Sequence, residues 1–120
     1  MTRPTRQEQA QAILQRRAAR TASEILGRRA STAADFAEAF TLERVDMIAE
    51  IDGVATLLAL GHNRSGPRDG LYIIEEADGF RVYTQEGGIP QSERSGMSFD
   101  EARDAVIDRL VMLNGIPYQL

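Results

Sequence analysis

Two apolar segments separated by a glycine turn, followed by a strongly capped helix, constrain residues 70–115 more tightly than any other part of this chain. Leu71 to Glu76 and Phe80 to Glu86 are rich in β-branched and aromatic residues and flank Asp78-Gly79, the pattern of a hairpin. A two-residue turn at Asp78-Gly79 would set Val82 opposite Glu75 and Leu71 opposite Glu86. A three-residue loop at Ala77-Asp78-Gly79, with Gly79 left-handed, sets Ile74 opposite Val82, Ile73 opposite Tyr83 and Glu75 opposite Arg81. The second register collects Tyr72, Ile74, Phe80 and Val82 on one face and makes a cross-strand ion pair on the other. It is the register expected, and it leaves Tyr83 facing outward. A third, polar strand at the sheet edge is expected near Ile89 to Ser95.

The helix that follows has a complete local signature. Ser98-Phe99-Asp100-Glu101 is a capping box, with Met97 and Ala102 placed for a hydrophobic staple. Phe99, Ala102, Val106, Leu110 and Leu113 form its apolar stripe, and Asn114-Gly115 with Pro117 ends it.

The first half of the chain reads as helical. Ala10, Ile13, Leu14, Ala18, Ala22, Ile25 and Leu26 recur at spacings of three and four, which predicts one helix from Thr5 to Gly27. Its stripe is narrow and rich in alanine, so the helix either attaches loosely or pairs with a second copy. Thr32 with Asp35 predicts an N-cap for a second helix carrying Phe36 and Phe40. A third helical stretch carries Val45, Ile48 and Ala49 to Asp52-Gly53. Residues 54–60 fit a short helix or a buried strand, and their alanine and leucine favour helix. Gly61 to Gly70 is a loop by composition. The expected class is therefore α+β: N-terminal helices, a small two- or three-stranded antiparallel sheet, and a C-terminal helix packed on the sheet. The 120 residues are expected to form a single domain.

Composition narrows the chemistry. The chain has no cysteine and one histidine, His62, which leaves no thiolate or His-based metal centre and no cofactor to expect. A Ser-His-Asp triad would have to use His62, in a loop with nothing to orient it. The loop Gly61 to Gly66 lacks the lysine of a phosphate-binding P-loop. No apolar run reaches the roughly 18–20 residues of a membrane span, and the Arg-rich start lacks the apolar core of a secretory signal, so a cytoplasmic location is expected.

The charge is uneven. Residues 1–30 hold seven arginines and two glutamates, while residues 31–120 hold seven arginines against sixteen acidic residues. Glu75, Glu76, Asp78 and Glu86 surround the hairpin. Asp100, Asp104 and Asp108 recur every four residues along the last helix and form a negative ridge. With Tyr83 as an aromatic anchor, the set Glu75, Glu76, Asp78, Tyr83, Glu86, Asp104 and Asp108 is the candidate partner-binding surface.

The strand ending at Glu76, the Asp78-Gly79 turn, the aromatic strand running into Glu86-Gly87-Gly88, the polar strand and the helix opening Ser98 to Ala102 resemble a pattern in small bacterial immunity proteins. Such proteins neutralise toxins of interbacterial competition. The resemblance covers about fifty residues, a span of structural motifs that hairpin-plus-helix domains share. It implies a non-enzymatic protein that blocks a cognate toxin with acidic residues. The alternative is a nucleic-acid-binding or dimeric regulatory protein using the Arg-rich first helix, although overall acidity disfavours nucleic acid. A hydrolase or transferase built from carboxylates is the third reading.

Overall fold

The computed structural model describes residues 3–120. The fold is α+β, with six helices and a three-stranded antiparallel sheet in the order β1-β2-β3 among the described residues. The chain forms two compact units. Of the described residues, one unit comprises 3–50 together with Ile107–Leu120, and the other is Ile51–Val106.

The helical unit contains α1 (Arg6–Leu14), α2 (Ala18–Leu26), α3 (Ala33–Ala39) and α4 (Arg44–Glu50), with the last turns of α6 (Phe99–Leu113). Helix α1 opens with a capping box in which Thr5 and Glu8 satisfy each other's backbone amides. Thr32 and Asp35 do the same for α3. The single helix expected from Thr5 to Gly27 is broken after Leu14. Arg16 takes a left-handed φ of 58°, and the Arg17 amide reaches back to the Ala12 carbonyl. The break is stabilised from a distance. The Asn114 side chain accepts the Ala18 amide at 3.2 Å and donates to the Ile13 carbonyl at 2.9 Å, so one amide group bonds the backbone on both sides of the break. No local periodicity encodes that contact.

Ala10, Ile13, Leu14, Ala18 and Ala22 of the expected stripe are buried within the chain, whereas Ile25 and Leu26 at its end are half-buried. Gln9 is also buried. Its Oε1 accepts the Thr41 and Leu42 amides, and its Nε2 donates to the Pro4 carbonyl and to Thr41 Oγ1. This glutamine holds the segment between α3 and α4 in place of a helical ladder, which is why the helix stops before Thr41. In α4 the buried residue is Met47, whereas Val45 is 59% exposed.

The second unit begins at Ile51 and carries α5 (Val54–Leu58), β1 (Gly70–Glu76), β2 (Gly79–Glu86), β3 (Ile89–Met97) and the start of α6. Residues 54–58 are helical, as their composition favoured. The capping box at Ser98 and Glu101 is formed. Ala102, Val106 and Leu110 are buried along α6, with Leu113 left 40% exposed at its end.

The hairpin register differs from both alternatives weighed on the sequence. Tyr72 pairs with Tyr83, Ile73 with Val82, Ile74 with Arg81, and Glu76 with Gly79, leaving Ala77-Asp78 as a two-residue turn. Gly79 has φ 131°, and a Cβ there would sit 2.6 Å from the Met97 carbonyl oxygen. Close approach of β3 therefore demands this glycine in addition to the turn. The new register puts Leu71, Ile73, Phe80 and Val82 on one face, where Phe99 of α6 meets Phe80 at 6.2 Å between ring centroids. Tyr72, Ile74, Arg81, Tyr83 and Gln85 share the other face. Strand β3 is exposed from Ile89 to Gly96 and carries two register shifts, at which Ser92 and Gly96 take positive φ. Those bulges bend the free edge and discourage pairing with foreign strands.

Candidate functional site

Glu75, Glu76 and Asp78 are all exposed at the turn end of the β1–β2 hairpin. Strand alternation sends Glu75 to the Phe80 face and Glu76 to the Arg81 face. The expected Glu75–Arg81 ion pair does not form. Arg81 instead lies between Glu76 at 3.4 Å and Glu93 at 3.6 Å, and also reaches Ser65 Oγ at 3.4 Å. Glu86 is exposed at the opposite end of β2, about 23 Å from Gly79 at the usual rise per residue. The hairpin carboxylates therefore form a cluster at the turn and a separate charge at the far end.

Tyr83 is not an exposed anchor. It is 3% exposed, its ring stacks on Tyr72 at 4.8 Å and 5° between planes, and the Arg81 guanidinium lies 5.5 Å from its centroid. The cause is the loop before β1. Tyr72 Oη donates to the Gly66 and Arg68 carbonyls, Gln85 Nε2 donates to the same two at 2.9 Å, and the His62 ring lies against Tyr72 at 4.8 Å. This loop covers the face that alternation had left to solvent. A sheet covered on both faces buries consecutive residues, as Leu71, Tyr72 and Ile73 are buried here.

The aspartate ridge of α6 is partly compensated. Asp100 pairs with Arg103 at 3.1 Å and Asp108 with Arg44 at 2.9 Å. Asp104 is exposed and belongs to the sheet-bearing unit, whereas Asp108 belongs to the helical unit.

The two units also differ in charge. Residues 51–106 hold ten acidic residues against five arginines, net −5, and the remainder holds eight against nine, net +1. Three of the seven N-terminal arginines, Arg6, Arg20 and Arg28, meet carboxylates of their own unit. Arg6 reaches Asp46 at 2.8 Å and Glu43 at 3.3 Å, and Arg28 reaches Asp35 at 2.6 Å and Glu38 at 3.2 Å. Backbone amide donation from Ser31, reinforced by Arg28, holds the Asp35 carboxyl far below the usual carboxylate range. The Glu43 amide and then Arg6 lower Asp46 in the same direction.

Three features of the sheet unit were not legible as a site. Gln85 is buried by the loop carbonyls it serves, and Asp69 accepts the Gly87 and Gly88 amides, tying the loop to the β2–β3 turn. Arg64 and Arg68 are exposed on that loop with no carboxylate partner among the described residues. The Gly and Pro content of residues 61–70 marks a loop but carries no sign of its rigidity. Among the described residues no group of three or more His, Asp or Glu side chains is arranged to hold a metal ion, and no helix is long and apolar enough to cross a membrane. Comparisons with protein-family models, with curated proteins and with solved structures return no match.

Proposed function

We propose that this chain is a non-catalytic binding protein that neutralises a partner protein, in the manner of an immunity protein acting on a toxin, through the acidic surface of residues 51–106. The observation that carries this reading is the concentration of charge in that unit, net −5, with Glu75, Asp78 and Asp104 exposed. A net negative surface steers a basic partner and disfavours acidic ones. Tyr83 is withdrawn from the contact set by its burial, and Asp108 by its place in the other unit. The engagement of Arg6 and Arg28 with carboxylates lowers the charge that the first helices offer to phosphates.

The test is protection. The genes flanking this one are searched for a toxin-like domain, cells expressing this chain are challenged with it, and the purified pair is examined by calorimetry. Survival together with a stoichiometric complex is expected, and reversal of Glu75, Asp78 and Asp104 to Arg should weaken both. Unprotected cells and no heat of binding overturn the reading.

A further inference from the structure

The geometry points to the loop of residues 63–69 as a preformed cationic recognition element that takes a carboxylate-bearing segment of a partner protein. It deepens the reading above and rests on the partner being a protein. The loop is closed at its base by two backbone hydrogen bonds, from the His62 amide to the Leu71 carbonyl and from the Ile73 amide to the His62 carbonyl, each 2.9 Å. Its interior is pinned by Tyr72 and Gln85, which donate to the Gly66 and Arg68 carbonyls, and its end by Asp69 on the next turn. A compact loop with joined ends, held by its own contacts, has little ordering entropy left to lose on binding.

What this rigid loop presents is arginine. Every residue from Asn63 to Asp69 is exposed. Within this unit Arg81 and Arg103 are drawn to carboxylates and Arg94 acts on Glu101, while Arg64 and Arg68 meet none among the described residues. The one acidic residue of the loop, Asp69, is turned to the Gly87 and Gly88 amides. Guanidinium groups held on a fixed backbone suit the planar, two-oxygen geometry of a carboxylate. A polyanion is disfavoured. Outside residues 61–70 this unit holds nine acidic residues against three arginines, net −6, and a nucleic acid long enough to reach the loop would meet that field. A protein segment with one or two carboxylates avoids it, and basic residues flanking those carboxylates would be attracted.

The experiment uses the isotope-labelled full chain and two probes at equal ionic strength: a capped peptide carrying adjacent Asp and Glu residues, and a single-stranded DNA oligomer of the same net charge. The peptide should shift the amides of residues 63–69 and the Nε–H signals of Arg64 and Arg68. Arg64→Gln with Arg68→Gln should weaken that response by about tenfold or more. Tyr72→Phe keeps the ring stack and removes the hydroxyl that pins the loop, and it should weaken the response several-fold with the spectrum elsewhere unchanged. An absent shift, a shift that survives the double Gln variant, a full response in Tyr72→Phe, or a stronger response to DNA each overturns the inference. The peptide titration needs no cognate partner. A silent loop with intact protection sinks this inference alone, and a responsive loop without protection sinks only the inhibitor reading.

Discussion

Tyr72 and Tyr83 stand directly opposite each other across β1 and β2, with ring centroids 4.8 Å apart and planes within 5°. The pair fixes the hairpin register and buries the residue that alternation had placed in solvent. Tyr83→Ala should therefore destabilise the fold by about 3–5 kcal/mol, in the range of buried aromatic truncations, whereas Tyr83→Phe should stay within about 1 kcal/mol. Urea unfolding measures both. A stable Tyr83→Ala protein that loses only partner binding would restore Tyr83 as a contact residue.

Gln9 makes hydrogen bonds with both ends of its amide while almost fully buried. Gln9→Ala strands the Thr41 and Leu42 amides in the helical unit. A loss of about 2–3 kcal/mol is expected in thermal or urea unfolding, because an unsatisfied buried amide forfeits its solvation. A change below 1 kcal/mol, on the order of a surface substitution, would mean that water replaces the side chain.

Gly79→Ala should cost about 2 kcal/mol or more, since a Cβ there meets the Met97 carbonyl oxygen and φ lies at 131°. Gly87→Ala is the control. Its φ of 57° is also left-handed, but nothing lies within 4 Å of an added Cβ, so its cost should be the smaller of the two. Equal losses would show that conformation alone, and not the approach of β3, governs Gly79.

Four carboxylates, Glu8, Asp35, Asp46 and Glu101, accept backbone amide hydrogens and are held below the ordinary range. In the unfolded chain they take up protons near pH 4, about the usual carboxylate value, while the folded chain still holds them ionised. Their contribution is thus complete above that pH and is lost as pH falls through the lower folded values. Urea midpoints should drop between about pH 4.5 and pH 2, with a shallower slope in Asp35→Asn. Midpoints that rise on acidification would reverse the sign of this argument.

Reversal of Asp108 probes the helical unit. Asp108→Arg breaks an exposed pair with Arg44 and should change stability by about 1 kcal/mol or less. It should leave partner affinity unchanged by calorimetry, in contrast to Asp104→Arg. Equal loss of affinity in the two variants would extend the interface beyond residues 51–106.

The helix starts were written in neighbouring residues. Thr5 with Glu8, Thr32 with Asp35 and Ser98 with Glu101 each satisfy orphan amides within four residues, so the sequence alone determined where α1, α3 and α6 begin. The α+β class and the exposed third strand followed from the same local patterns. Tertiary structure decided the rest, because the deciding contacts join residues far apart in the chain. Asn114 breaks the first helix 96 positions away at Ala18, and β3 presses its backbone on Gly79. Closure of the loop over Tyr72 and Gln85 buried the second face of the β1–β2 hairpin, which alternation had left to solvent. The placement of the candidate site followed from those contacts: an alternating pattern states which side chains share a face, and only the covering element states whether that face meets water.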